Sequence, residues 1–485
     1  MSAQPSGSSE SAASASPPPD PASSLRALLQ LAVPIVAANM LQTVFQLIDT
    51  FWLGRLGAVA VAAVSLSFPI LFLMISLGGG LTVAGTILVA QFYGSGDRER
   101  VDHIAAQTLI ALLGVSATIA AAGYLLTGPL VAFFAPEPEV AAPAGDYLRI
   151  SFLGLVFLFA YFVFQSLLRG IGEVRTPLVI VFGAVILNFL ADPLFILGWG
   201  PIPPMGVAGA ALATIASQGV AGVVGIALLF SGRFGVHVRR RDLRPDWPLI
   251  GRILRLGIPA SVEQSTRAIG LSVMMLLVTG FGTTVVASYG IGARFFGFVI
   301  IPALGLSLAT STLVGQNMGA GLPDRADETT RLAARIGFLA LTVAGLLLFA
   351  FAVPLTRLFI PESPEVVEMG ATFLRIMAPT YGFVAIQQVL TGAFRGAGRT
   401  TMAMVLTIVT LWVLQFPLAF VLSERTPLEE AGIWWAFPIT NVVAAVIAWL
   451  WFRRGTWKSR ALTEEMALED AITREALIDE GVTGG

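Results

Sequence analysis

Two aspartates stand inside long apolar segments, where charged side chains are rarely found. Asp49 lies five residues before Gly54, and Asp192 lies seven residues before Trp199. A charge at bilayer depth costs at least ~2.5–3.5 kcal/mol, so such a residue is usually paired or functional. Two carboxylates close together in a low dielectric hinder each other's ionisation, so one of them can bind and release a proton. The pair therefore predicts reversible cation binding.

Three polar residues are expected at the same depth as the aspartates. Asn188 precedes Asp192 by one helical turn and shares its face. Tyr147 begins predicted helix 4 on the same side, and Thr214 lies about 12 Å into predicted helix 6, counted from Gly206. Two carboxylates, an amide, a hydroxyl and a phenol then meet in one half of the chain. The predicted cluster consists of Asp49, Asn188, Asp192, Tyr147 and Thr214.

The composition is that of an integral membrane protein. Of 485 residues, 56% are apolar and 12% are charged, and the mean hydropathy is +0.82. Soluble domains are about one quarter charged, so this chain needs lipid as its solvent. Its apolar stretches are continuous, whereas a membrane β-barrel shows short alternating segments. We therefore predict an all-α integral membrane fold.

Twelve segments are long enough to cross a bilayer core of ~30 Å, which takes ~20 helical residues. The predicted spans are 28–53, 59–92, 100–126, 145–168, 176–198, 206–230, 252–279, 285–317, 329–353, 368–393, 401–422 and 432–452. Arginine is concentrated in alternate loops, which the positive-inside rule assigns to the cytoplasm. Both termini are then cytosolic, and the protein is expected in the cytoplasmic (inner) membrane. The arginine-rich loops hold Arg98, Arg100, Arg169, Arg175, Arg239, Arg240, Arg241, Arg244, Arg325, Arg395, Arg399, Arg453 and Arg454, and the opposite loops hold Arg55, Arg357 and Arg425.

The spans fall into two lobes of six helices, 25–230 and 252–454, joined by a cytosolic linker, 231–251. Residues 1–24 are rich in Ser, Ala and Pro and lack the basic start of a signal peptide, which predicts a disordered cytosolic tail. Residues 455–485 form a second cytosolic tail, acidic and helix-prone, in which we identify no chemistry.

Several kinds of chemistry are excluded by residue content. The chain has no cysteine, so it forms no disulfide and no thiolate metal site. His103 and His237 lie in or beside polar connections and are interpreted as solvated loop residues. Lys458 is the only lysine, and no glycine-rich phosphate loop precedes it, so the chain holds no P-loop ATPase. We expect no cofactor, and energy from an ion gradient or a partner subunit.

The two halves repeat at a nearly constant offset. Pro34 matches Pro259, 225 positions on, and the turn beginning at Arg169 matches the turn beginning at Arg395, at 226. Two further matches pair residues 89–96 with 314–321 and residues 148–150 with 374–376. Each repeat has six helices, so both enter the membrane from the same side and a pseudo-two-fold axis runs along the membrane normal. This geometry favours a carrier in which the two halves rotate against each other around a central cavity.

The polar cluster does not repeat. Asp49 aligns with Met274, Asp192 with Phe416, Asn188 with Trp412 and Tyr147 with Phe373. A purely structural need would be expected in both halves, so the asymmetry favours a functional cluster. Glu263 is different, because Arg267 follows at the i+4 spacing of a helix ion pair. We interpret Glu263 as structurally paired and Arg294 as a further structural counter-charge.

The order, spacing and duplication of several segments resemble the multidrug and toxic compound extrusion (MATE) family of the MOP flippase superfamily. The resemblance covers roughly 25–455 and is closest to its DinF-like and archaeal branch, which has an Asp in helix 1 and Asn-x-x-x-Asp in helix 5. It is carried by residues 44–54, 91–94, 168–170, 188–193 and 206–214. The NorM-like branch should instead have an acidic cation site in helices 7 and 10, which Glu263 and Glu368 do not match.

The resemblance implies roles for single residues. The polar cluster matches the cation-coupling site, and Na⁺, if it is the coupling ion, would be held by Asp49, Asn188, Asp192 and Thr214. Pro34 matches the proline at which helix 1 bends. The substrate cavity is expected to be lined by Gln42, Phe45, Trp52 and Gln165.

We therefore expect a cation-coupled antiporter, with H⁺ favoured over Na⁺, that exports amphipathic and often cationic compounds by alternating access. Its expected partners are small-molecule substrates and the lipid bilayer, without nucleic acid, and we expect a monomer that is not an enzyme. The alternative is a flippase for lipids or lipid-linked precursors, which needs a lateral entrance or a basic cavity. We see no cavity arginine cluster in the N-terminal half. A major-facilitator carrier and a membrane-embedded enzyme fit the motifs less well.

Overall fold

The computed structural model describes residues 21–134, 137–359, 361, 363–459 and 461–468. Twelve long helical segments cross this part of the chain. Their bounds are α1 Pro21–Gly54, α2 Ala58–Gly94, α3 Arg98–Phe134, α4 Pro138–Gly170, α5 Arg175–Ile196, α6 Gly206–Ser231, α7 Trp247–Thr279, α8 Thr283–Gly319, α9 Pro323–Ala350, α10 Pro364–Gly396, α11 Thr400–Glu424 and α12 Glu430–Arg453. A short helix, Ala352–Phe359, follows α9. A 3₁₀ turn interrupts α10 at Ala378–Thr380, and a π-helical turn interrupts α11 at Val409–Gln415.

Eleven of the described helices are long and apolar enough to span a membrane. The twelfth, α7, falls short because Glu263, Gln264 and Arg267 stand in its middle. Large apolar side chains such as Leu125 and Leu276 are 78% and 72% exposed, as expected of surfaces that face lipid. The prediction of a twelve-helix membrane bundle is confirmed, and the chain is a multi-pass membrane protein.

The predicted helix ends differ from the observed ones by a few residues. The first helix begins at Pro21, so the last four residues of the predicted N-terminal tail are helical. Residues 1–20 of that tail lie outside the described part of the chain. Two differences are larger, since α3 ends at Phe134, eight residues after its predicted span, and α4 begins at Pro138, seven residues before its own. Membrane helices extend past the hydrocarbon core into the interface, where hydropathy no longer marks them.

The helices pack as two bundles, α1–α6 and α7–α12. Within the first, α4 packs against α2, α3 and α6, and within the second, α10 packs against α8 and α9. The first bundle is held by an apolar core that includes Phe159 and Phe164, and the second by one that includes Tyr381 and Trp434. Across the boundary, α2 packs against α7 and α8, and α1 packs against α8.

The two bundles close against each other on the arginine-rich side, through a reciprocal pair of glutamines. Gln91 Nε2 donates to the carbonyl oxygen of Gly396 at 2.9 Å, and Gln316 Nε2 donates to the carbonyl oxygen of Gly170 at 2.9 Å. These contacts are related by the sequence repeat, at offsets of 225 and 226. Glycine lets the backbones approach here, because a Cβ atom on Gly319 would overlap the carbonyl group of Gln91. This side is therefore closed.

A valine at position 319 is expected to open the arginine-rich side. Overpacking costs ~1–3 kcal/mol, which shifts a two-state equilibrium by about ten-fold. The chain has no cysteine, so a single Ala90→Cys reporter, buried at this contact, can be labelled with a membrane-impermeant maleimide. Gly319→Val should accelerate labelling by about ten-fold. Gly290→Val in the same helix, where a Cβ meets nothing within 4 Å, is the control. Equal labelling rates in both variants would contradict the closure.

The beginning of the predicted C-terminal tail packs against the bundles. Trp457 is fully buried, and the backbone N–H of Leu462 donates to Gln91 Oε1 at 2.8 Å. Lys458 Nζ lies 3.1 Å from carboxylate oxygens of both Asp324 and Asp327. Burial works against the ammonium charge, but the hydrogen bonds to these carboxylates leave the pKa of Lys458 above its ordinary value. Residues 460 and 469–485 of the tail lie outside the described part.

Candidate functional site

The predicted polar cluster assembles where α1 packs against α5 and α6. Thr214 Oγ1 donates to Asp49 Oδ2 at 3.2 Å, and Asn188 Nδ2 donates to Asp192 Oδ1 at 3.2 Å. Asn188 and Asp192 are fully buried. Asp49 and Asp192 lie close enough for their carboxyl groups to interact electrostatically. Three helices thus bring together two carboxyl groups that are 143 residues apart in the chain.

Tyr147 joins the cluster from α4. Because this helix begins at Pro138, Tyr147 lies about 13 Å along it rather than at its start. Its ring packs against an apolar cluster formed by residues of α1, α2, α5 and α6, which includes Leu53 and Ile196. The phenol lies close enough to both aspartates to interact with them electrostatically. All five predicted members of the cluster are therefore neighbours.

Three oxygen atoms of the cluster are buried without a hydrogen-bond donor among the described residues. They are Asp49 Oδ1, Asn188 Oδ1 and Asp192 Oδ2. Buried polar atoms are seldom left unpartnered in folded proteins, so each calls for an explanation. Carboxylate and amide oxygens are ligands for hard cations, and a carboxyl proton would also satisfy such an oxygen. In the described part, no group of three or more His, Cys, Asp or Glu side chains is placed to hold a metal ion.

The matching positions of the second bundle are packed with apolar side chains. Met274, Phe373 and Phe416 belong to its core with Trp434, and the rings of Trp412 and Phe416 are 5.0 Å apart. The same scaffold position is thus filled by a polar cluster in one repeat and by an apolar core in the other. Packing alone does not require the aspartates.

A cavity of about 270 Å³ lies between the bundles. The structure places Gln42 and Gln165, two of the four residues predicted for the substrate cavity, in its lining, with Gln264 and Leu308 contributed by the second bundle. The other two are not in the lining. Phe45 is 3% exposed and packed away, and Trp52 lies about 15 Å along α1 from Gln42, beside Phe189.

Arg169 also lines this cavity, although its position after a predicted span indicated a cytoplasmic loop. The difference arises because α4 continues to Gly170, so that Arg169 occupies its last turn and points between the bundles. Its Nη2 donates to Thr86 Oγ1 at 3.3 Å, and its Nε is buried without a partner. No carboxylate of the described residues lies within ion-pair distance of it. One arginine of the N-terminal half therefore lines the cavity, which the sequence alone did not predict.

The charges of the second bundle form a buried ion network. Glu263 is fully buried and accepts hydrogen bonds from Arg267 at 3.0 Å, from Thr407 at 3.2 Å and from Nε of Arg395 at 3.1 Å. The predicted pairing of Glu263 with Arg267 is confirmed. Arg395, which was predicted to lie in a loop, is a second partner of Glu263. Arg294 stacks over the ring of Phe359, 5.7 Å from its centroid.

Pro34 lies inside α1, which is one continuous helix from Pro21 to Gly54. It lines a void of about 20 Å³ that shares Asn39, Gln165 and Arg169 with the central cavity. Proline removes one helical hydrogen bond and weakens the helix locally. A bend of α1 at Pro34 would therefore change the shape of the central cavity beside Asn39, Gln165 and Arg169.

Comparisons with known proteins agree with this geometry. The MatE family profile matches residues 34–194 and 259–421, one block in each bundle. The "probable multidrug resistance protein YpnP" of Bacillus subtilis (strain 168) is 32% identical over 91% of this chain and 97% of its own length. The "FAD transporter" of Shewanella oneidensis is 27% identical over 87% of this chain and 92% of its own length.

A solved structure has the same fold. It is described as the outward-facing conformation of a multidrug resistance MATE family transporter of the MOP superfamily. It superposes with a TM-score of 0.84 at 26% identity, over 90% of this chain and 97% of that one. The family profile, the relatives, the twelve helices and the repeat lead to one conclusion: the chain belongs to the MATE family of membrane transporters.

Proposed function

We propose that this protein is a proton-coupled antiporter that exports amphipathic small molecules. The observation that carries the proposal is the pair Asp49 and Asp192, which is partly or fully buried, leaves carboxylate oxygens without donors and occurs in one bundle only. Two carboxyl groups in contact share protons reversibly in a low dielectric. The relatives named as multidrug resistance proteins support efflux as the direction of transport.

The coupling follows from the position of the pair on α1 and α5, with Thr214 of α6 bonded to Asp49. A proton that arrives from the opposite side neutralises the pair and allows the three helices to pack more closely. Bending of α1 at Pro34 then reduces the cavity and releases substrate outward. Return of the proton to the arginine-rich side resets the carrier. In the conformation described here the arginine-rich side is closed, so we expect the cavity to open toward the opposite side.

Separate ion jumps distinguish the coupling ions. Purified protein in liposomes should move a fluorescent amphipathic dye against its gradient when a pH difference is imposed at constant Na⁺. A Na⁺ difference at constant pH should leave the dye at equilibrium. Transport that follows Na⁺ would contradict proton coupling, and it would assign the ion to the oxygens of Asp49, Asn188, Asp192 and Thr214. Transport that follows neither ion would contradict antiport.

Flipping of lipids is the second candidate, and one observation favours it. A groove of about 400 Å³ on the outside of the second bundle is lined by Phe338, Phe383, Trp449 and Arg335. It offers an apolar surface beside two arginines, Arg331 and Arg335. However, the groove shares no lining residue with the central cavity. Translocation of a fluorescent phospholipid by the liposomes used above, independent of any ion jump, would favour the flippase.

A further inference from the structure

The sequence repeat relates the buried ion network of the second bundle to three residues of the first bundle that line the central cavity. Glu263 corresponds to Ala38 and Arg267 to Gln42, both at the offset of 225, and Arg395 corresponds to Arg169 at 226. An arginine occurs at this position in both bundles. The carboxylate that neutralises it occurs only in the second bundle.

Ala38, Gln42 and Arg169 all line the central cavity, so they are neighbours, as their counterparts are. In the second bundle Arg395 binds both carboxylate oxygens of Glu263. In the first bundle the methyl group of Ala38 leaves the corresponding space to the cavity. Arg169 is the one charged residue among the described residues of the lining.

Two polar atoms of these cavity-lining residues, Arg169 Nε and Gln42 Oε1, are buried without a hydrogen-bond partner among the described residues. Arg169 therefore faces the cavity without a counter-charge, and the planar fork of donors of its guanidinium matches a bidentate carboxylate or phosphate. The amide groups of Asn39, Gln165 and Gln264 surround the same space and can donate to an anion. Ile75, Phe162 and Leu308 supply apolar walls for the rest of a ligand.

We propose that Arg169 is an anion-binding subsite of the substrate cavity, in which the carboxylate or phosphate of an amphipathic substrate takes the place that Glu263 occupies in the second bundle. The preferred cargo then carries an acidic group, alone or in a zwitterion, and a purely cationic drug is the poorer substrate. This inference rests on the proposed export function and specifies its substrate class. The aspartate pair is not in the cavity lining, so it does not offset the charge of Arg169 there.

A matched pair of dyes tests the proposal. Rhodamine 110 has a free benzoate, and rhodamine 123 is its methyl ester, so the two differ in charge and hardly in shape. Purified protein in liposomes should bind rhodamine 110 about ten-fold more tightly by fluorescence polarisation, as expected for a hydrogen-bonded ion pair. Arg169→Gln should remove the preference, and Arg169→Lys should retain most of it. Displacement by 1-naphthoate and by 1-naphthyl phosphate shows which anion the subsite takes.

The sharpest variant supplies the missing carboxylate. Ala38→Glu should pair with Arg169 as Glu263 pairs with Arg395, and it should abolish the acid preference. Ala38→Gln adds the same bulk without the charge, so it should weaken both dyes alike and keep their ratio. An equal affinity of the wild-type protein for both dyes, or a preference that survives both Arg169→Gln and Ala38→Glu, overturns the subsite. Export of the ester dye under a pH jump reports on the proposed function separately.

Discussion

The double substitution Asp49→Asn, Asp192→Asn is expected to abolish ion-driven export, with a loss of about 100-fold in initial rate, near the upper range of coupling free energies between sites. Asparagine keeps the size of aspartate and can still accept the hydrogen bond from Thr214 or Asn188. It cannot be protonated or carry a charge. The variant therefore removes the proposed proton site and should leave the packing of α1, α5 and α6 in place.

The measurement is dye export from liposomes after an imposed pH jump, with binding of the dye measured in parallel. Binding should persist, because neither aspartate lines the central cavity. Asp146→Asn is the control, since this residue of α4 is 63% exposed and makes only a 3.9 Å contact with Arg149. Export at the wild-type rate by the double variant would refute the assignment of the coupling site.

Glu263→Gln is expected to destabilise the protein by ~3–5 kcal/mol, the typical cost of removing one partner of a buried ion pair. Glu263 is fully buried, and its carboxylate is bound by both Arg267 and Arg395. The amide would leave two cations facing each other without a counter-charge. Denaturant unfolding in detergent, followed by tryptophan fluorescence, measures the change in the free energy of unfolding.

An exposed ion pair provides the comparison. Asp97→Asn removes a 3.7 Å contact with Arg100 in which both side chains are more than one third exposed, and such pairs contribute ~0–1 kcal/mol. If Glu263→Gln changed the free energy of unfolding as little as Asp97→Asn, the network would not be a structural element. The fraction of the Glu263→Gln protein that remains folded should export dye with the same pH dependence as the wild-type protein. That result would show that Glu263 takes no part in ion coupling.

Much of this protein could be predicted from the sequence because a bilayer imposes strong local constraints. Each span must be apolar for about 20 residues and must satisfy its own backbone hydrogen bonds. A charge inside a span is costly enough to be noticed one residue at a time. Asp49 and Asp192 are identified by this cost, and Asn188 by its place one turn away on the same helix. Position along a helix axis, counted at ~1.5 Å a residue, then predicts a common depth.

Contacts between distant helices were decided only by the tertiary structure. Depth along a helix does not specify its rotation, so Phe45 and Trp52 turn out to lie away from the cavity that Gln42 lines. Arg169 and Arg395 read as loop residues because hydropathy falls at both the end of a helix and the beginning of a loop. Their environments differ because of residues more than 125 positions away in the chain. Arg395 faces the carboxylate of Glu263, whereas the matching position beside Arg169 is an alanine, Ala38. The apolar runs determine that the helices span the membrane, whereas the packing of the two bundles determines which polar groups face the cavity and which face each other.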